Sequence, residues 1–233
     1  MRLSIITINF NNSSGLQKTI DSVIAQSLKD FEWIIIDGGS SDGSRELIEQ
    51  YADRFSYWVS EPDNGIYNAM NKALSHLKGD YVLFLNSGDY LASETIIEEV
   101  LKYLDGTTIV YGNEYFEGCK KPVSLGGVSI MVHSNEIVRS FVEYPDEIDE
   151  TFFNGNSLPH QATFIKCDYM KEHPYDENYK TVSDGIFFQE AIIENKVTYK
   201  HIPVTVSYFN LHGISSTKIG WKEQTDFLKN KGK

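Results

Sequence analysis

The sequence predicts an α/β protein built on a mainly parallel central sheet flanked by helices, with a smaller C-terminal portion. Three observations carry this expectation. Strand-like and helix-like patterns alternate four times with short connections within the first 105 residues, as right-handed βαβ units do. The strand-like segments are continuous apolar runs, which suits strands covered on both faces. Each run ends in a polar or acidic loop, and in a parallel sheet such loops gather at one edge, where ligands bind.

Leu3–Asn9 reads as the first strand. Asn9–Ser14 is a polar loop ending in a helix cap, and Leu16, Ile20, Val23, Ile24 and Leu28 follow at helical spacing. Phe31–Ile36 is a second buried strand that runs into Asp37-Gly-Gly-Ser-Ser-Asp-Gly-Ser44, and a helix follows with Leu47, Ile48 and Tyr51 inward. Tyr57–Ser60 is a third strand, ending at Glu61-Pro-Asp-Asn-Gly65. A helix from Gly65 places Ile66, Tyr67, Met70, Leu74 and Leu77 on one stripe, and Gly79 stops it. Tyr81–Leu85 is the fourth strand, with the turn Asn86-Ser-Gly-Asp89 at its carboxyl end. Beyond lie a capped helix over Ser93–Leu104 and a strand at Thr108–Tyr111. The stretch 112–158 has no sustained period, the pattern of a long binding loop. Ala162–Lys166 reads as a strand, and Ser183-Asp184 heads a helix with Ile186, Phe187, Ala191 and Ile192 inward. Val197–His201 and Val204–Phe209 resemble two further strands, and the polar stretch 217–233 holds one helix.

The chain has 21 Lys and Arg against 33 Asp and Glu, a net charge of −12. That balance disfavours nonspecific attraction to nucleic acid. Hydrophobic residues make up 41%, enough for a buried core, yet no apolar stretch of about 18 residues offers a membrane-spanning helix. Leu3–Ile8 is too short and too strand-like for a signal peptide, so a cytoplasmic protein is expected. Cys119 and Cys167 lack CxxC or nearby histidine spacing and read as reduced thiols.

The fold places Asn9, Asp37, Asp42, Asp63 and Asp89 at one sheet edge although eighty residues separate the first from the last. Asp, Asn, Ser and Gly are also the ordinary residues of turns and caps, and Asp42 with Ser44 suits that plainer role. The Asp89 carboxylate suits a divalent cation held against a phosphate, and the same turn suits no ligand at all. Asp184 fits a helix N-cap as well as a proton acceptor.

Four ordered segments carry a resemblance: Ser4-Ile-Ile-Thr-Ile-Asn-Phe-Asn11, Ile36-Asp-Gly-Gly-Ser-Ser-Asp-Gly-Ser44, Glu61-Pro-Asp-Asn-Gly-Ile-Tyr-Asn-Ala-Met-Asn71 and Leu85-Asn-Ser-Gly-Asp-Tyr90. Together they resemble family 2 glycosyltransferases of the GT-A fold, a Rossmann-like α/β architecture. The resemblance covers residues 3–115 strongly and 158–215 more weakly. It implies an inverting transferase that moves a sugar from a nucleotide diphosphate sugar, with a UDP-sugar as the expected donor. The acceptor is a hydroxyl of a glycan or lipid-linked glycan in cell-surface polysaccharide biosynthesis. Residues 1–115 are then the nucleotide-sugar half, and 116–233 the acceptor and catalytic-base portion of the same domain. Peripheral contact with the inner face of the membrane is a further expectation.

Position by position, the resemblance puts Thr7 and Asn9 at the nucleotide base, Asp37 and Asp42 in the loop for base and ribose, and Asp63 in the segment closing over the nucleotide. Asn86–Asp89 corresponds to the DXD motif, with Asp89 and Asn86 as ligands of Mn²⁺ or Mg²⁺ and Ser87 beside the diphosphate. Asp184 resembles the catalytic base. His160 and Gln161 resemble residues lining the acceptor side, and His212 one that meets the phosphates. Two departures stand out: Gly38 replaces the usual second acid of the base-binding loop, and Asn86 replaces the first Asp of the metal motif. The QxxRW pattern of processive synthases is absent, which favours addition of a single sugar. The alternative from another class is a nonenzymatic nucleotide-sugar binder. A dinucleotide-binding dehydrogenase is disfavoured because Asn9-Phe-Asn-Asn-Ser13, not G-x-G-x-x-G, follows the first strand.

Overall fold

β1 (Leu3–Asn9) lies between β2 (Phe31–Asp37) and β4 (Tyr81–Phe84), parallel to both, with β3 (Tyr57–Ser60) parallel to β2 at the sheet margin. This is a computed structural model, and it describes residues 2–118, 128–134, 137–211 and 222–223. The expected βαβ series is present. Helices α1 (Ser13–Ile24), α2 (Ser44–Gln50) and α3 (Ile66–Leu74) make the crossovers. Register is set by the apolar runs, which bring Asn9 level with Asp37 at the carboxyl end of the sheet.

The two faces of β1 serve different layers. Leu3 and Ile5 pack with Leu16 and Ile20 of α1, whereas Ile6 and Ile8 pack with Tyr67 and Met70 of α3. Burying both faces is what the unbroken apolar strands require.

The second half departs from a purely parallel arrangement. β9 (Thr163–Lys166) runs antiparallel between β4 and β6 (Ile109–Glu117), and β10 (Tyr199–Asn210) lies parallel to β6. β5 (Tyr90–Leu91) pairs antiparallel with the far side of β10. The two strands expected at 197–201 and 204–209 are one strand, whose register shifts at Thr205. The stretch 112–158 is not a long loop: β6 continues to Glu117, and β7 (Val128–Ser134) and β8 (Ile137–Glu143) form an antiparallel pair against its end. Helix α4 (Ile96–Leu101) is shorter than Ser93–Leu104, and α3 ends at Leu74, before Gly79. A short helix α5 (Cys167–Glu172), which periodicity did not predict, precedes α6 (Ser183–Gln189). Most of the helix expected at 217–233 lies outside the described residues, as does Cys119, while Cys167 is a buried free thiol.

Gly112 sits where β6 meets the irregular part of β10. A Cβ there would stand 2.5 Å from the Val204 carbonyl oxygen and 2.8 Å from Val206 Cγ2. Gly112→Ala is therefore expected to destabilise the protein by about 1–3 kcal/mol, the usual cost of overpacking, read as a lower midpoint in thermal or urea unfolding.

Candidate active site

A cavity of about 780 Å³ opens at the carboxyl edge of the parallel strands, where the sequence places its polar loops. Its wall includes Asn9, Asp63, Asn86, Ser87, Asp89, His160 and Asp184, gathered from across the chain.

The turn after β4 is held from α1. Thr19 Oγ1 accepts from the Gly88 amide at 3.0 Å and donates to the Asp89 carbonyl at 2.7 Å, while Asn12 Nδ2 donates to the Ser87 carbonyl at 3.0 Å. Gly88 takes φ +104°, a left-handed value that favours glycine. The turn thereby directs Asp89 inward, where it is 5% exposed. Its Oδ1 accepts from the Asn210 amide of β10 at 2.9 Å. Burial pushes the Asp89 carboxyl up to about 7, against the opposing pull of His160 and the Asn210 amide. Asn86 turns its Nδ2 to His160 Nε2 at 3.0 Å, and its Oδ1 is buried without a partner.

Asp184 opens α6 as the sequence expects, yet Val182 takes the cap position. Its Oδ1 accepts from Tyr67 Oη at 2.8 Å and its Oδ2 faces His160 Nδ1 at 3.0 Å. Burial would raise its pKa, but the His160 contact and the Tyr67 hydrogen bond outweigh that and lower it. Burial likewise disfavours a charged His160, and Asp184 more than reverses the effect, so its pKa is raised. Tyr67 is pushed well above its ordinary value by burial and by the adjacent carboxylate.

Several expected ligand residues are elsewhere. Thr7 points into the α1 layer, because it shares a strand face with Leu3 and Ile5, and accepts from Trp33 Nε1 at 3.0 Å. Asp37 is fully buried and is spent on the loop itself: it accepts from Ser60 Oγ at 2.6 Å, from Ser40 Oγ and from Asn9 Nδ2 at 2.7 Å. Asp42 accepts from the Ser13 and Ser44 amides and the Ser44 hydroxyl, so it braces α1 and α2 rather than the cavity. Gln161 is buried behind the wall, with its amide on Glu114. Each of the four is engaged by protein partners in this structure. His212 lies outside the described residues.

The departure at residue 38 has a spatial explanation. A Cβ on Gly38 would stand 2.6 Å from Asp63 Oδ2 and 3.1 Å from Phe10. Asp63 thus occupies the room that a side chain at 38 would need. Phe10 was not singled out by sequence reasoning. It is 64% exposed, the large hydrophobic residue left uncovered among the described residues, and it lies on the cavity wall. An apolar ring kept in solvent beside a ligand loop was the available signal.

The donor set suits a divalent cation. The wall carries the carboxylates of Asp63, Asp89, Glu177 and Asp184 against one lysine, Lys180, and the orphaned Asn86 Oδ1 with the desolvated Asp89 supplies the hard oxygens such a cation takes. Among the described residues no group of three or more His, Cys, Asp and Glu is placed to hold a metal by itself. Mg²⁺-type sites commonly complete their shell with phosphate and water.

The family model for glycosyl transferase family 2 matches residues 4–163. The chain belongs to that family. It is 41% identical over 195 residues to an uncharacterized glycosyltransferase of Mycobacterium tuberculosis, covering 82% of this chain and 69% of that protein. Staphylococcus aureus TarS 1–349, solved with UDP-GlcNAc, superposes with a TM-score of 0.70 at 17% identity, covering 90% of this chain and 58% of that one. A mannosyltransferase of Pyrobaculum calidifontis, solved with GDP-Man and Mn²⁺, gives 0.63 at 13% identity, covering 96% and 60%. The GT-A fold is therefore shared, while the chain spans under two thirds of these solved proteins. Among the described residues no helix of the glycosyltransferase is long and apolar enough to cross a membrane.

Behind the wall of the glycosyltransferase, Glu114 is 1% exposed and accepts from Tyr144 Oη at 2.7 Å and from Gln161 Nε2. Burial pushes it up to about 8, against those hydrogen bonds. The unfolded chain releases this proton near an ordinary carboxylate pKa and the folded chain keeps it to about 8, so its contribution to stability declines as pH rises through that window. Glu114→Gln should flatten this slope, with Gln161 reversing its amide to suit. The expected result is a smaller loss of melting temperature between pH 5 and 8, and an equal slope in both proteins would contradict it.

Proposed function

We propose that the protein transfers a sugar, with inversion, from a nucleoside diphosphate sugar to an acceptor hydroxyl, with Asp184 as the general base. The observation that supports this best is the joining of Asp184 to the Asn86–Asp89 turn, through His160, on one cavity wall. The base of the nucleotide lies on Phe10, between Asn9 and Asp63, and Ser87 and Lys180 approach the diphosphate. Asp89 and Asn86 would hold Mn²⁺ or Mg²⁺. When bound, the cation supplies Lewis-acid neutralisation of the charge that develops on the leaving diphosphate. The UDP-GlcNAc bound to the TarS structure supports a UDP-sugar as the donor.

The chain's own residues account for the proton. Each carboxylate oxygen has two lone pairs, so Asp184 still accepts a substrate hydroxyl while Tyr67 and His160 hold it. A lowered pKa keeps it ionised. The acceptor O–H loses its proton to Asp184 as its oxygen bonds to the anomeric carbon, and the bond from that carbon to the diphosphate breaks. One displacement inverts the centre. The acceptor is read as a glycan or lipid-linked glycan of the cell surface, with residues 1–115 serving the donor and 116–233 the acceptor and base.

Asp184→Asn should lower kcat by about 10²–10⁴, the usual worth of a positioned base, with UDP affinity unchanged. Release of UDP from a UDP-sugar measures this, and full turnover by the variant would overturn the assignment. Binding of UDP without turnover by the unaltered protein would instead mark a nonenzymatic binder. Phe10→Ala should weaken UDP binding by about 1–3 kcal/mol, the range for base–aromatic stacking, read by calorimetry.

A further inference from the structure

We propose that His160 is a positioning residue that orients Asn86 and Asp184 together, so that one imidazole aligns the donor side of the cavity with its base. The inference rests on the donor-site reading above and deepens it. A carboxylate only accepts, so His160 Nδ1, 3.0 Å from Asp184 Oδ2, carries the proton in that contact. The NH₂ of Asn86, not its oxygen, meets Nε2 at 3.0 Å, the arrangement in which Nε2 accepts. Asn86 Oδ1 is thereby turned the other way, buried and without a partner, in a residue that lines the cavity beside Asp89. Reversing the amide would set Oδ1 against the ring and leave an NH₂ in its place, which cannot ligate a cation.

His160 thus makes a neutral amide into a directed oxygen donor, which explains how Asn serves where the family pattern carries Asp. An Asp at 86 would instead set a carboxylate oxygen against Nε2. The backbone that carries the ring is anchored independently of both partners. It forms the 3₁₀ turn His160–Ala162, where the Ala162 amide and Thr163 Oγ1 both donate to the Pro159 carbonyl, at 2.9 and 2.7 Å, and Gln161 is anchored on Glu114.

Calorimetry of UDP binding to the full chain, with and without Mn²⁺, tests this. Asn86→Ala and His160→Ala should each cut the Mn²⁺-dependent gain in UDP affinity about tenfold, the scale for residues that orient a ligand, and the double variant should be no worse than either. Each variant should still bind UDP without Mn²⁺, which shows that it is folded. His160→Gln, which keeps polarity but cannot bridge both partners, should behave like His160→Ala. A retained gain in both His160 variants, or fully additive losses of about a hundredfold in the double variant, would overturn the inference. Asp89→Ala separates the two readings. If it abolishes the gain while the His160 variants keep it, only the role of His160 falls; if the gain survives Asp89→Ala, the donor-site reading falls as well.

Discussion

The contact between Asp184 and His160 joins parts of the chain that are far apart in sequence. A carboxylate taken into a wall with four-fifths of its side chain covered must find donors there. Tyr67 reaches it from α3 and His160 from the turn before β9, so the start of α6 is fastened to both halves of the sheet. Without that fastening, α6 would lie beside the cavity with its charge uncompensated.

What gives the contact its location is the parallel register of β1, β2, β3 and β4. Strands that run the same way end on the same edge, and the loops they deliver carry Asn9, Asp63 and the turn ending at Asp89. The antiparallel insertion of β9 then brings the chain back past β4, and the 3₁₀ turn just ahead of it begins at His160. Parallel strands supply the polar loops. The turn before the reversed strand supplies the ring that connects them to Asp184.

Much of this was legible in the sequence, and the limits have physical causes. The four apolar runs and their acidic loops read correctly because burial on both faces leaves an unmistakable pattern. Asn86 and Asp89 were placed at the sheet edge for the same reason, His160 and Asp184 by the resemblance, and all four line the cavity. Thr7, Asp37, Asp42 and Gln161 turn to protein partners, which the sequence does not show because a polar residue at a strand end looks alike whether it faces a ligand or braces a neighbouring loop. Which it does depends on partners such as Trp33, Ser60 or Glu114, tens of residues away. β8 and the end of β6 escaped notice because Glu114 and Ser140 are buried polar positions inside strands, which break the apolar run. Helix α5 is a single short segment, too brief for a period to emerge.

The abutment of Gly38 and Asp63 makes two positions, twenty-five residues apart, share one volume. A side chain at 38 would have to displace the Asp63 carboxylate, the movable end of its side chain. The pattern that the first segments resemble carries its acid at 38, and this chain carries one at 63 beside the same spot. Motif matching that scores each position alone sees only a missing acid. Read as an occupied volume, the pattern is complete.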